Sequence, residues 1–399
     1  MKKANILIIG GGMITQEVIL PTIFQERRKG KIDQIFVATR RKSTIEKLRK
    51  IFPEEEFKGF PEKAKDPEEP FPECYKEALS QLPKPGIVIV ATPDHLHTQM
   101  TIDSLKSGFH VIVEKPLCLK VEEVYEIDKV AKQVGGYVYT DYHKRHDPAL
   151  RACQYKYRKG EMGEVLCGHA WIEERREMPL KWFSRWCDKS SSFEYIGVHY
   201  VDMFYFITGL KPVRVIGFGQ KKFLPKYGKD AFDAIEGIIT WENGATFYVQ
   251  TSWILPEGNP NLTNQGFQIT CTEGEFRADN ADRNSNFVTT KYGFERFNPH
   301  FFKPFIDWDN PERVEWRGYG ADSIIQGIDD CLKIFEATEG LPEEEAKKVR
   351  KEMISKFEKT RPLPLQALIG TAVIEGVKLS VLNGSKPVIF DEKLYPKIE

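Results

Sequence analysis

The strongest chemical signal is Glu114-Lys115-Pro116, which closes the apolar run VIVEKP at residues 111–116. A lysine at the mouth of a sheet can bind a substrate hydroxyl or take up its proton. Burial beside a cationic cofactor lowers an ammonium's pKa toward a working range. Glu114 then either pairs with the lysine or caps the next helix. The alternative for both is a surface ion pair, which is worth little. His199 and Asp202 sit three residues apart in the otherwise apolar YIGVHYVDMFYFITG, 195–209. That spacing puts both on one helix face, and polar groups in such a setting need partners. They read either as a catalytic histidine with an orienting acid or as a satisfied core histidine. A third cluster, His143-Lys144-Arg145 in DYHKRHDP, either meets a phosphate or anionic substrate or forms a solvated turn.

Three further stretches read as a dinucleotide cradle. Gly10-Gly11-Gly12-Met13-Ile14-Thr15 follows an apolar run and opens a helical pattern. Gly10 permits a tight turn, and Gly12 lets backbone approach a pyrophosphate at the helix N-terminus. The usual third small residue is replaced by Thr15, which predicts looser helix–strand packing or a shifted helix; a plain turn is the competing reading. Thr39-Arg40-Arg41 closes the second apolar run with no acid for a ribose 2′-hydroxyl, so the arginines favour NADP over NAD. In ATPDHLH, 91–97, Thr92, Pro93 and His97 fall beside the same crevice. His95 and His97 are spaced i, i+2 and share no helix face, so no metal site is expected.

These residues need elements to position them. Apolar runs at 4–10, 33–39, 86–92, 110–115 and 136–142 alternate with helical patterns, RKSTIEKLRKIF among them, with Ser43, Thr44 and Glu46 as its capped start. The 53–73 stretch, rich in Pro and Glu, reads as an exposed loop. Such alternation predicts a doubly wound parallel α/β domain, which binds ligands at the carboxyl ends of its strands. The lysine motif therefore reaches a ligand edge. Beyond residue 146, strand patterns such as VLCGHAWIEER, IEGIITWENGATFYVQTSW and FQITCTEGEFRAD predict an α+β domain on a mostly antiparallel sheet. The expected boundaries are 1–145 and 146–399, with the C-terminal helix packing back on the first domain.

The chain has 399 residues, room for two domains. Its 58 basic and 58 acidic residues leave no net charge, which argues against nucleic-acid and membrane-surface partners and favours association. Seven scattered cysteines without a C-x-x-C pair point to a reducing compartment. MKKANILIIGGG has the basic start of a signal peptide but too short an apolar run. No stretch reads as a membrane span, and a soluble cytoplasmic protein is expected.

The order of a G-x-G turn, ATPDHLH, EKP, a basic turn and a G-x-H-x-x-D helix resembles the Gfo/Idh/MocA oxidoreductase family, that of glucose–fructose oxidoreductase and inositol dehydrogenase. The likeness runs to the closing RPLPLQALIGTAVIEGVKLSVLNGSKPV. It implies a Rossmann domain, an open-faced sheet that mediates dimers or tetramers, and hydride transfer between NAD(P) and a secondary alcohol of a sugar or polyol. It assigns catalysis to Lys115 and His199, and often a cis Lys115–Pro116 bond. Asp202 would orient His199; His143 and Arg145 would face substrate. Where many members have the acid of D-x-G-x-H this chain has Tyr195, a third polar partner for substrate. The histidine–glycine signature of the glycosidase branch is absent. A catalytically inactive NAD(P)-binding regulator of the same fold is the alternative.

Overall fold

In a computed structural model, residues 3–278 and 283–399 are described. Met1 and Lys2 of the basic start, and Asp279 of the FQITCTEGEFRAD pattern, lie outside them. The chain forms two compact units: one of residues 1–117, 123–143 and 302–366, the other of 118–122, 144–301 and 367–399.

The first unit is built on strands β1 (Ala4–Ile9), β2 (Ile32–Ala38), β3 (Lys58–Phe60), β4 (Gly86–Val90), β5 (His110–Glu114) and β6 (Val138–Asp141), in the order β3-β2-β1-β4-β5-β6 and all parallel. Helices α1 (Leu20–Arg28), α2 (Lys42–Ile51), α3 (Cys74–Gln81), α4 (His97–Lys106) and α5 (Val121–Val134) alternate with them. β1, β4, β5 and β6 are buried along their whole length, as strands covered on both faces must be, which is why they read as unbroken apolar runs. The loop expected over 53–73 contains β3, an edge strand too short to show a pattern. Ser43 and Thr44 lie inside α2, whose N-cap is Arg41 with no side-chain cap, so the expected capped start is corrected.

The second unit begins with α6 (Pro148–Arg158), capped by Asp147, whose side chain accepts from Ala149 N–H. Its strands are β7 (Val165–Arg175), then, after helix α7 (Val198–Thr208), β8 (Pro212–Gln220), β9 (Ala234–Trp241), β10 (Thr246–Leu255), β11 (Thr263–Cys271) and β12 (Glu275–Ala278). A hairpin of β13 (Asn286–Thr289) and β14 (Gly293–Arg296) follows.

The chain then returns to the first unit with hairpin β15 (Lys303–Ile306) and β16 (Val314–Arg317) and helices α8 (Tyr319–Ala337) and α9 (Glu343–Phe357). Tyr137 on β6's approach donates to Asp330 of α8 at 3.0 Å, and Arg361 grips the same carboxylate. The boundary expected at 145/146 thus differs from the structure: a segment remote in sequence completes the first unit, because burying both sheet faces takes more helix than residues 1–145 supply. The helices that return are α8 and α9, whereas α10 (Pro364–Leu382), from Ala367 on, belongs to the second unit. Strands β17 (Val388–Phe390) and β18 (Pro396–Ile398) finish an eight-stranded sheet of order β12-β11-β7-β10-β9-β8-β17-β18. Its pairs are antiparallel except β7–β10.

One described helix, α10, is long and apolar enough to cross a membrane by length and composition, contrary to the expectation from the sequence. Its apolar window is 61% buried, and Ser380 accepts from Gly217 N–H of β8 at 2.9 Å, which is how a core helix sits.

Candidate active site

The carboxyl ends of β1, β2, β4, β5 and β6 bring together most of the residues singled out in the first unit. Gly10 follows β1 with φ +119°, and a Cβ there would come within 2.0 Å of the Ala91 carbonyl oxygen, so glycine is required for the turn. A Cβ on Gly12 would meet nothing within 4 Å. That open approach, at the start of a helix beginning with Met13 and Ile14, is what a pyrophosphate needs, so the turn fits a dinucleotide. The Thr15 hydroxyl donates to the Gly10 carbonyl at 3.2 Å, and the helix opens with a wide π turn over Thr15–Ile19 before α1.

Thr39 ends β2, its hydroxyl donating to the Arg41 carbonyl at 2.7 Å. Arg40 is exposed, whereas Arg41 Nε donates to the Glu68 carbonyl at 2.8 Å. The two arginines therefore do not form the expected joint fork; Arg41 braces the 53–73 segment.

Thr92 and Pro93 follow β4. His97 is fully buried, with Nε2 2.8 Å from the Thr92 carbonyl oxygen and Nδ1 2.7 Å from that of Pro116. Both nitrogens face backbone carbonyls of the two loops, and whichever carries the proton donates to one of them, so His97 packs between the loops after β4 and β5. Glu114 ends β5 and Lys115 follows it, both buried, and the Lys115–Pro116 bond is cis.

Sequence reading passed over Asp141, the neighbour of Glu114 on the adjacent strand. Ser323 of α8 donates to its carboxylate and Tyr139 shares a hydrogen bond with Ser323 at 3.0 Å. Burial pushes the Asp141 carboxyl up to about 6, against the pull of Ser323, Glu114 and Lys115. Burial, then the Asp141 charge, push Glu114 well above the usual range. The acid ending the fifth strand pattern was the available signal, but its meaning depends on strand order. His143 stacks on Tyr319, ring centroids 5.7 Å apart.

In the second unit, α7 continues a π turn over Phe193–Gly197, and His199 and Asp202 are both buried on it. Asp202 does not serve His199 as expected. Arg145 Nε and Nη2 donate to its two oxygens at 2.8 and 2.6 Å, a buried bidentate pair. Burial pushes the Asp202 carboxyl up and Arg145 opposes it. The pair occupies both oxygens of Asp202 and two of the Arg145 donors. Lys144 is also buried and donates to Gln265 at 2.8 Å, while Tyr200 donates to the same oxygen at 3.2 Å. The three basic residues are thus buried with protein partners rather than in a solvated turn, and Gln265, isolated in a strand pattern, was invisible in the sequence. Tyr195 packs edge-on against Phe183 and Trp186, centroids 4.9 and 5.4 Å away, with Trp253 behind. Among the described residues no group of three or more His, Cys, Asp or Glu is placed to hold a metal ion.

Residues 4–142 match the model of an oxidoreductase family with an NAD-binding Rossmann fold, and residues 150–277 match the GFO/IDH/MocA C-terminal domain. D-glucoside 3-dehydrogenase of Escherichia coli (strain K12) is 23% identical over 206 residues, 48% of this chain and 58% of that protein. scyllo-Inositol 2-dehydrogenase (NAD(+)) of Bacillus subtilis (strain 168) is 27% identical over 183 residues, 45% of this chain and 52% of its own. The chain thus spans little more than half the length of these curated relatives. An inositol dehydrogenase homologue from Azotobacter vinelandii, solved with NADH and myo-inositol, shares the fold with a TM-score of 0.70 at 16% identity, covering 98% of each chain. With a 3-2-1-4-5-6 parallel sheet, its glycine turn, the lysine motif and matched models over both regions, the chain belongs to the Gfo/Idh/MocA oxidoreductase family.

Proposed function

We propose that the protein transfers a hydride between a nicotinamide dinucleotide and a carbon bearing a secondary hydroxyl or carbonyl on a sugar, polyol or related compound. The observation that carries the reading is Lys115, buried and first past β5, on the same sheet edge as the Gly10–Gly12 turn. The dinucleotide, when bound, supplies the hydride acceptor or donor. Gly10, Gly12, Met13 and Ile14 admit its pyrophosphate, Thr39 and Arg40 receive the adenosine ribose, and Thr92 and Pro93 border the nicotinamide end. Lys115 Nζ holds the reacting oxygen and takes its proton during oxidation. Family likeness assigns His199 as the second hydrogen-bonding group, with Tyr195 facing substrate in place of an acid. The names of the relatives, a glucoside and an inositol dehydrogenase, support the substrate class.

NADP is the preferred cofactor in this reading, with Arg40 alone as the 2′-phosphate partner, and the enzyme works in the cytoplasm as a homo-oligomer. Fluorescence titration with NADPH and NADH tests it. Tighter NADPH binding that disappears in Arg40→Ala supports the assignment, and a screen of sugars and polyols then identifies substrates. Binding without turnover across that panel indicates the regulatory alternative. No binding of either dinucleotide overturns the oxidoreductase reading.

A further inference from the structure

The carboxyl edge of the first sheet holds two buried acids side by side. Glu114 and Asp141 end the adjacent parallel strands β5 and β6 and are paired in register. Neighbouring residues of a parallel pair project to the same face, and these are 6% and 3% exposed. Glu114 Oε1 is buried with no hydrogen-bond donor among the described residues. Asp141, by contrast, receives Ser323. Lys115 is the cation that acts on both carboxyl groups.

We propose that Glu114 and Asp141 share a single proton, forming a carboxyl–carboxylate pair that presents Lys115 with one negative charge instead of two. Two ionised carboxylates cannot sit together away from water; a proton between them turns repulsion into a charge-assisted hydrogen bond. The donors decide where it rests. Ser323 stabilises the charged form of Asp141; the Lys115 backbone N–H does the same for Glu114, but burial and the Asp141 charge outweigh it and Oε1 of Glu114 has no donor among the described residues. Glu114 therefore carries the proton and donates to Asp141. Both groups are pushed upward, Asp141 to about 6 and Glu114 well above its usual range, as one shared proton requires. With Lys115 as an ammonium the three groups are neutral together, which is the cheapest way to bury them. Facing the pair are the Lys115 side chain just past β5, the Lys115 backbone N–H on Glu114, Ser323 on α8 and, through Ser323, Tyr139 on β6.

The consequence for catalysis rests on the function proposed above. Glu114 and Asp141 are positioning residues: they fix the charge that Lys115 feels. To take the hydroxyl proton during oxidation Lys115 must act as the neutral amine; at alkaline pH Glu114 gives up the shared proton, and the second negative charge holds a proton on Lys115 and leaves it no lone pair for the substrate hydroxyl. Turnover then falls on the alkaline side through an ionisation that is not Lys115's own.

Infrared pH-difference spectra of the intact protein, with glutamate carbon-13 labelled at the carboxyl, test the pair without any reaction. The expected result is a protonated glutamic acid band at neutral pH that is lost in Glu114→Gln, an isosteric mimic of the protonated acid. In Asp141→Asn the midpoint of that band moves to lower pH, at least about tenfold in proton concentration, because the neighbouring charge is gone. Absence of a neutral-pH band belonging to Glu114 overturns the proposal, and so does an unmoved midpoint in folded Asp141→Asn. Should Asp141→Asn fail to fold, the wild-type and Glu114→Gln spectra still decide. With a substrate in hand, the kcat/KM profile of Glu114→Gln should lose its alkaline fall; an unchanged fall contradicts the positioning role. A protein that shows the band but turns nothing over keeps the pair and loses the hydride reading. One that turns over with both acids ionised keeps the reading and loses the pair.

Discussion

The residues with the most ordinary appearance in the sequence carry the sharpest electrostatics. Asp202 was expected to serve His199, yet Arg145 occupies both its oxygens within the core. Removing one member of such a pair strands a buried charge, at a cost of roughly 3–5 kcal/mol. Asp202→Ala should therefore lose about that much in urea unfolding; a variant as stable as wild type but catalytically dead would return Asp202 to the substrate. Lys115→Met should behave differently, lowering kcat by ~10²–10⁴ with dinucleotide affinity nearly unchanged. Retained turnover would remove Lys115 from the reaction. Asp141 has a thermodynamic signature of its own. Its folded pKa is raised to about 6, so its contribution to stability is present below the ordinary carboxylate value near ~4 and is lost as pH rises through about 6. Thermal melts between those values should show the wild type losing stability with rising pH relative to Asp141→Asn.

At the scale of the element, local sequence explains some geometry and neighbours explain the rest. The α6 N-cap is local: Asp147 precedes Pro148, and one carboxylate oxygen takes the Ala149 N–H at 3.0 Å. The other oxygen pairs with Arg283, an interaction no short-range rule foresees. Asp147→Ala should cost about 1 kcal/mol for the cap, and more for the stranded arginine; a loss that disappears in the Arg283→Ala background beyond the cap value would measure the second part. Helix α2 shows the converse. Its Ser43 and Thr44 look like caps but lie two and three residues past the cap position, because Arg41 is the extended residue before the first turn. At Thr15 the helix opens with a π turn, and the Thr15 hydroxyl donates to the Gly10 carbonyl.

At the scale of the molecule, the second sheet raises the question of assembly. One of its faces exposes Phe218 of β8 at 43% and Ile238 of β9 at 39%. The homo-oligomer proposed above would be expected to cover these two residues. A dimer or tetramer should appear in sedimentation velocity, and Ile238→Lys should shift it toward monomer without unfolding. A wild type that sediments as a monomer at all concentrations would remove the oligomer from the proposal.

Much of this protein could be read before any coordinates. The strands β1, β2, β4, β5 and β6, the glycine turn, and the placing of Lys115 at a ligand edge follow from hydrophobic period and short motifs, which are local and therefore written in contiguous residues. What tertiary structure decided is pairing. Only the strand order makes Glu114 and Asp141 neighbours; only the return of residues 302–366 brings Ser323 to them and completes the first unit. Only packing gives Arg145 to Asp202 and seals His97 between two carbonyls. Such contacts join residues from about twenty to nearly two hundred positions apart, and their energies come from burial, a property of the assembled fold that no window of sequence contains.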